Sequence, residues 1–195
     1  MADGEDMITA ALKVQNWMPM NKQTTLVGRG IGAPVVEFGN GFWQLEFTYQ
    51  NMTDDEWLEL QAWLARRKGA ASPFSAWRAM NPNTRGGATS CTIAEQGTDE
   101  LRVTSSPVLQ DGDMVSYDAA TEGRFVGIVT EITNTTGSYV DVRTFPDRVA
   151  VNGTPNATCQ QAKGDFRIVP DSVRIEDPFD AKKSMSFKAV QKEAY

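Results

Sequence analysis

The stretch from residue 40 to residue 82 constrains the fold more than any other part of the chain. Residues 42–49 alternate between apolar and polar side chains, which predicts an antiparallel strand with one buried and one solvated face. The apolar side chains on one face are Trp43, Leu45, Phe47 and Tyr49, and the polar ones on the other are Gln44, Glu46 and Thr48. A short turn leads from this strand into a helical segment. The sequence therefore predicts a sheet strand followed by a helix that can pack against it.

The helix is predicted from residue 53 to residue 68, and both of its ends are marked. Thr53 and Glu56 have the spacing of a capping box. Acidic residues in the first turn and basic residues at 66–68 suit the helix dipole, and Gly69 is expected to supply the left-handed residue that ends the helix. One face carries the apolar residues Trp57, Leu60, Trp63 and Leu64. We interpret both tryptophans as core residues, and a ligand-stacking role as the lesser alternative.

The composition changes after Pro82. Residues 83–164 contain no tryptophan and are rich in Thr, Gly, Asp, Asn and Val. Short strands are predicted at 88–93, 100–105, 113–118, 124–132 and 138–145, separated by the turns Asp111-Gly112, Thr136-Gly137 and Asn152-Gly153. Five or more short strands at this spacing are typical of a small closed barrel or a sandwich.

The segments on either side of this region are predicted to belong together. Residues 10–18 predict a first strand and residues 184–190 a last one. We therefore expect a mainly β fold with one principal α-helix, in which residues 1–86 and 165–195 form one domain and residues 87–164 an all-β insertion, either a small barrel or a sandwich. The glycine-rich segment 28–41 is interpreted as a connection between strands, because neither a Walker lysine nor a helix follows it.

The composition excludes several classes of function. The 195 residues include no histidine, which removes the commonest general base and the commonest zinc ligand. A net charge of −6 disfavours specific binding of nucleic acid. The chain has only Cys91 and Cys159, too few for a four-cysteine metal site. They lie near the two borders of the middle region and could be close in space, but free buried thiols are the default in a protein made in a cytoplasm.

Three acidic clusters are the remaining candidates for chemistry. They are Asp54-Asp55-Glu56, the pair Asp111 and Asp113, and Glu176-Asp177. Helix capping explains the first cluster and a turn the second, and such clusters are more often solvated features than sites. We therefore predict no catalytic, cofactor-binding or metal-binding residues and no enzyme activity. Binding of a surface glycan by exposed aromatic residues stays open, with Tyr117, Phe125 and Tyr139 as candidates.

Targeting signals are also missing from the sequence pattern. The acidic N-terminus is unlike a signal peptide, and no apolar run approaches the ~20 residues of a membrane span. We expect synthesis in a cytoplasm and no membrane span.

The order of these segments resembles the minor tail proteins of long-tailed bacteriophages, in particular the distal tail proteins. The resemblance extends over most of the chain and depends on the order of its elements. The matching stretches are residues 41–47 (GFWQLEF), 52–69, 73–74 (PF), 109–115 (LQDGDMV), 125–129 (FVGIV), 140–146 (VDVRTFP) and 164–168 (GDFRI).

This resemblance implies a structural protein of the virion with no catalytic residues and no cofactor. The outer segments would form a tail-tube-like β-sandwich with a flanking helix, and a homo-oligomeric ring, expected to be a hexamer, would close at the end of the tail tube. The middle barrel would lie outside this ring. The implied partners are the tail tube protein and the hub or fibre proteins of the tail tip, and DNA would only pass through the channel. The alternatives are a tube or tube-terminator subunit and a carbohydrate-binding module.

Overall fold

The computed structural model describes residues 5–21, 23–25, 35–37, 41–68, 71–96, 100–104, 109–118, 123–137, 139–146, 156–176 and 182–192. Within these ranges the chain forms fifteen strands and one helix, α1 (Asp54–Arg67). The strands are β1 (Glu5–Asp6), β2 (Leu12–Met20), β3 (Gln23–Thr25), β4 (Val35–Glu37), β5 (Phe42–Met52), β6 (Phe74–Ala76), β7 (Ser90–Gln96), β8 (Leu101–Thr104), β9 (Met114–Asp118), β10 (Arg124–Thr136), β11 (Tyr139–Phe145), β12 (Asn156–Thr158), β13 (Gly164–Ile168), β14 (Arg174–Glu176) and β15 (Lys183–Gln191). The prediction of a mainly β fold with one principal helix is confirmed for these residues.

The strands of the two outer segments form one seven-stranded sheet. Its order is β1-β6-β13-β15-β5-β2, and β14 pairs with the free half of β15. All pairs are antiparallel except the two-residue pair of β1 with β6. Since β5 comes from the first segment and β15 from the last, the sheet joins the two ends of the chain, and β13 begins in it at Gly164.

The strands of the middle region form a closed barrel in the order β10-β11-β8-β7-β12-β9. The turns predicted at Asp111-Gly112 and Thr136-Gly137 connect its strands, and both glycines have positive φ values, 91° and 59°. The turn predicted at Asn152-Gly153 lies outside the described residues. In the glycine-rich segment, β4 pairs with β3 as a short hairpin, whereas residues 26–34 are not described.

Alternation along β5 places its large side chains on one face of the sheet, as predicted. Trp43, Leu45, Phe47 and Tyr49 are all buried. Neighbouring strands extend this face in register, with Phe187 of β15 opposite Phe47 and Trp17 of β2 opposite Leu45. The result is one continuous aromatic face that must be covered.

Helix α1 covers part of this face. Trp57, Leu60 and Trp63 are buried and Leu64 packs beside them, which confirms the predicted apolar stripe and its assignment to the core. The Trp63 ring meets Phe74 edge-on at a centroid distance of 5.0 Å, and its indole N–H donates to the Asp6 carbonyl at 3.1 Å.

The N-terminus of α1 is capped as predicted, whereas the described left-handed residue at its C-terminus is not the predicted one. The Glu56 N–H donates to Thr53 Oγ1 at 3.3 Å, and the Thr53 N–H donates to Glu56 Oε2 at 2.8 Å, which confirms the capping box. Lys68 adopts the left-handed conformation with φ 49°. The sequence assigned that conformation to Gly69, which lies outside the described residues.

The barrel covers another part of the same face. Trp43 meets Phe145 of β11 edge-on at 5.3 Å, and Met114 and Val126 belong to the buried cluster of the sheet. Two hydrogen bonds cross the contact: Gln191 Nε2 donates to the Val126 carbonyl at 3.1 Å, and the Arg124 N–H donates to Asp165 at 3.0 Å. A few barrel side chains therefore join the core of the sheet, while the interior of the barrel forms a second buried cluster of its own.

The burial of Leu60 gives a test of the helix packing. Leu60→Ala is expected to lower the free energy of unfolding by about 2–5 kcal/mol, because the side chain is 1% exposed and its removal leaves a cavity. The matched control is Leu58→Ala on the same helix, where the side chain is 60% exposed and the cost should stay within about 0.5 kcal/mol. Chemical denaturation measures both. Equal losses would mean that the helix register is wrong.

The contact between barrel and sheet is tested at Gly164. A Cβ atom at this position would collide with the side chain of Val126. Gly164→Ala should therefore lower the free energy of unfolding by about 1–3 kcal/mol. Combining it with Val126→Ala makes room for the new methyl group, so the double variant should lose less than the sum of the two single losses. Strictly additive losses would contradict the packing of β10 against β13.

Candidate interaction surfaces

Strand β2 forms a long open edge of the seven-stranded sheet. Among the described strands it pairs only with β5, so its second edge has no strand partner there. Pro19 lies near its end, as is usual for edge strands, because proline has no N–H to donate. An open edge of nine residues is a template for pairing with another chain unless something covers it.

Apolar side chains border this edge on the face opposite the aromatic core. Val14 and Met20 are 39% and 37% exposed, and their partners on β5 are Thr48 and Phe42. Between them lies Asn16, whose amide donates to Glu46 at 3.4 Å. Aliphatic side chains beside an open strand favour contact with a protein surface over contact with an ion or a small polar ligand.

The opposite edge of the sheet is short, and an ion pair holds it in place. Strand β1 has two residues, and its Asp6 forms an ion pair with Lys163, whose Nζ lies 2.7 Å from the carboxylate. The same ammonium group lies 5.0 Å from the centroid of the Trp77 ring. The two edges of the sheet therefore differ in length and chemistry.

The basic end of the helix is only partly a surface. Arg67 is buried: its Nη1 donates to the Pro73 carbonyl at 2.9 Å, and its guanidinium carbon lies 5.7 Å from the centroid of the Trp63 ring. The sequence interpretation grouped Arg67 with Arg66 and Lys68 as the charged last turn and missed this role. Arg67 follows Trp63 by four residues and Leu60 by seven, so it lies on the apolar face of the helix. This spacing in the sequence could have predicted its burial.

The aromatic residues considered for glycan binding are mostly inside the barrel. Tyr117 and Phe125 are each 2% exposed and pack at a centroid distance of 5.0 Å, so the prediction that they are exposed is wrong. They lie opposite each other on β9 and β10, on the face that points into the barrel. Tyr139 is 44% exposed at the start of β11, beside the turn at Gly137.

The acidic clusters have structural roles where they are described. Asp54 accepts a hydrogen bond from Lys183 at 2.9 Å, which holds the pKa of its carboxyl below the usual value, and hydrogen bonds from Thr53 lower the pKa of Glu56. Asp113 accepts the backbone N–H groups of Arg85 and Gln110, which confirms the turn interpretation.

The third cluster is described only in part. Glu176 accepts a hydrogen bond from the Ser184 hydroxyl, and Asp177 is not described. In the ranges that the structure covers, no three His, Cys, Asp or Glu side chains gather as a metal site would require.

The two cysteines meet inside the barrel. Their Sγ atoms are 3.5 Å apart, and both thiols are free and buried. The prediction that both cysteines are buried is confirmed, and the two borders of the middle region meet there.

Comparison with known proteins adds no family. No protein-family model matches the chain, and no curated protein sequence matches it significantly. Within the residues described, no helix combines the length and apolar character needed to cross a bilayer. Function must therefore be inferred from the structure itself, in which the β2 edge is the most distinctive described surface.

Proposed function

We propose that this protein is a structural subunit of the tail tip of a long-tailed bacteriophage, where copies of it form a ring around the DNA channel. The observation that carries the proposal is the edge of β2 that no described strand pairs with, nine residues long and bordered by the exposed side chains of Val14 and Met20. A long exposed edge strand makes a monomer prone to aggregation, whereas a subunit of an assembly can use it to pair with its neighbour. The order of segments that resembles distal tail proteins points to the same assembly.

A closed ring requires two different contact surfaces on each subunit. In a head-to-tail ring the surface at one side of a subunit meets a different surface of the next. The β2 edge would supply the first surface, and the opposite edge near β1, with the ion pair of Asp6 and Lys163, would supply the second. Six copies is the number that the resemblance implies.

The same proposal assigns a different role to each of the two parts of the subunit. Residues 1–86 and 165–195 would form the ring domain, related to a tail-tube-like β-sandwich, and residues 87–164 would form an inserted barrel on the outside. The barrel would leave the ring domain free to contact the tail tube protein on one side and hub or fibre proteins on the other. The subunit would be made in the cytoplasm of the bacterial host and act in the virion.

The charge of the chain suits passage of DNA without binding. Lysine and arginine side chains that neutralise phosphates strengthen binding to DNA, so a channel for transit should carry few of them. The chain has 25 acidic and 19 basic residues. We expect the wall of the channel to carry more Asp and Glu than Lys and Arg, with Arg66 and Lys68 turned away from it.

The alternative functions differ in what the β2 edge and the barrel would bind. A tube or tube-terminator subunit would use the same β2 edge with other neighbours. A glycan-binding module would depend on the barrel and has one of its three candidate aromatic residues exposed, Tyr139. The open edge on the sheet favours assembly.

A charge placed on the β2 edge should block the ring. Val14→Lys is expected to abolish assembly, because a lysine in the contact would have to be desolvated without a partner. Leu58→Lys makes the same change at an exposed position on the helix and should assemble like the wild type. Light scattering on the full chain measures the mass, expected at six times the 21.4 kDa of one subunit. Thermal melts establish that both variants are folded.

Cross-linking of purified particles counts the copies in place. A ladder that ends at a small symmetric multiple, most simply six, agrees with the proposal. One or two copies per particle, or a Val14→Lys variant that assembles like the Leu58→Lys control, would contradict it.

A further inference from the structure

The two cysteines of the chain form a buried dithiol at the seam of the barrel. Cys91 lies on β7 and is 6% exposed, and Cys159 follows β12 and is 1% exposed. In the register of these strands Ala157 is opposite Cys91, and the Cys159 N–H donates to the Thr89 carbonyl at 3.0 Å. The cysteines are therefore diagonal neighbours that both point into the barrel, with their sulfur atoms 3.5 Å apart.

Strand β12 is the weakest part of the closed barrel. It has three residues and pairs with β7 along its length, but among the described residues it pairs with β9 only through Thr158 and Ser116. Every other neighbour in the barrel pairs through at least three residues. The joint of β12 with β9 is therefore the weakest in the described barrel, and the dithiol lies at the neighbouring joint of β12 with β7.

We propose that Cys91 and Cys159 are a redox-controlled covalent latch: under oxidising conditions they form a disulfide that fixes β12 to β7, the strand that holds β12 in the barrel by pairing along its length. The latch depends on the geometry of the barrel and goes beyond the proposed role of the ring. It stays open when the thiols are reduced, and the chain then has no covalent cross-link because it contains no other cysteine.

The reaction is a thiol–disulfide exchange with a small disulfide such as oxidised glutathione. The Cys91 thiolate attacks one glutathione sulfur, forms a mixed disulfide and releases the first glutathione thiolate. The Cys159 thiolate then attacks Cys91 Sγ and releases the second. Two protein thiols lose two electrons and two protons, and one oxidised glutathione becomes two reduced molecules.

Cys91 is the attacking thiol in this sequence. It is the more exposed of the two, and its hydrogen bond with the Cys159 sulfur lowers its pKa, which favours the reactive thiolate. The hydrogen bond to Cys91 and burial both raise the pKa of Cys159. Cys159 is therefore suited to resolve the mixed disulfide rather than to start the exchange.

Closing the latch should stabilise the chain. The two cysteines are 68 positions apart, so a disulfide between them closes a long loop and restricts the unfolded chain. A cross-link of this length is expected to raise the Tm by roughly 5–10 °C.

The experiment uses the full chain, fully reduced and then incubated under native conditions with excess oxidised glutathione. Free thiols are alkylated in denaturant, and the intact mass and the Tm are recorded. The wild type should become about 2 Da lighter through loss of two hydrogen atoms, take up no alkyl group and melt at the higher temperature. Addition of a reductant should reverse all three changes.

Cys91→Ala and Cys159→Ala are the matched controls, since neither can form an internal disulfide. Neither should melt at a higher temperature after oxidation. Cys159→Ala should trap glutathione on Cys91 faster than Cys91→Ala traps it on Cys159. A wild type that keeps two alkylatable thiols, that ends as a stable glutathione adduct, or that forms only disulfide-linked dimers would overturn the latch.

Discussion

The aromatic face of the seven-stranded sheet is the constraint on which the rest of the structure depends. A single sheet with large apolar side chains on one face is stable only if another layer covers it. Two different layers cover this one: α1 packs near Phe74 and Phe187, and the barrel packs near Trp43. Trp43 lies four residues before Phe47 on β5, about 13 Å along the strand. Barrel side chains such as Phe145 and Val126 therefore pack against the core of the sheet, although the barrel interior has a buried cluster of its own.

Sequence reasoning succeeded where local pattern decides the structure. The alternation along β5 and the capping box at Thr53 and Glu56 depend on neighbours in the chain, and both are confirmed. Long-range contacts were not predictable: Phe145 reaches Trp43 across about a hundred residues, and the short strands β1, β6 and β14 exist only because a partner strand lies beside them. Tyr117 and Phe125 were misjudged because a barrel interior is set by closure, which one strand does not reveal.

The candidate surfaces show the same limit. The composition alone shows that the chain has no histidine, which removes the commonest general base from any catalytic site. The open edge of β2 became visible only with the order of the strands, because its sequence resembles that of any paired strand. The meeting of Cys91 with Cys159 likewise requires the barrel to be closed. In each case the residues are evident in the sequence, and their function depends on the pairing of distant strands.

We propose that the β2 edge joins copies of this chain into a ring at the tail tip, and a map of the assembled particle, at a resolution that separates strands, is the decisive test. The map should show a closed ring around the DNA channel in which β2 of each copy lies against the neighbouring copy and the barrels lie outside. A particle without such a ring, or a ring in which β2 faces solvent, would contradict it.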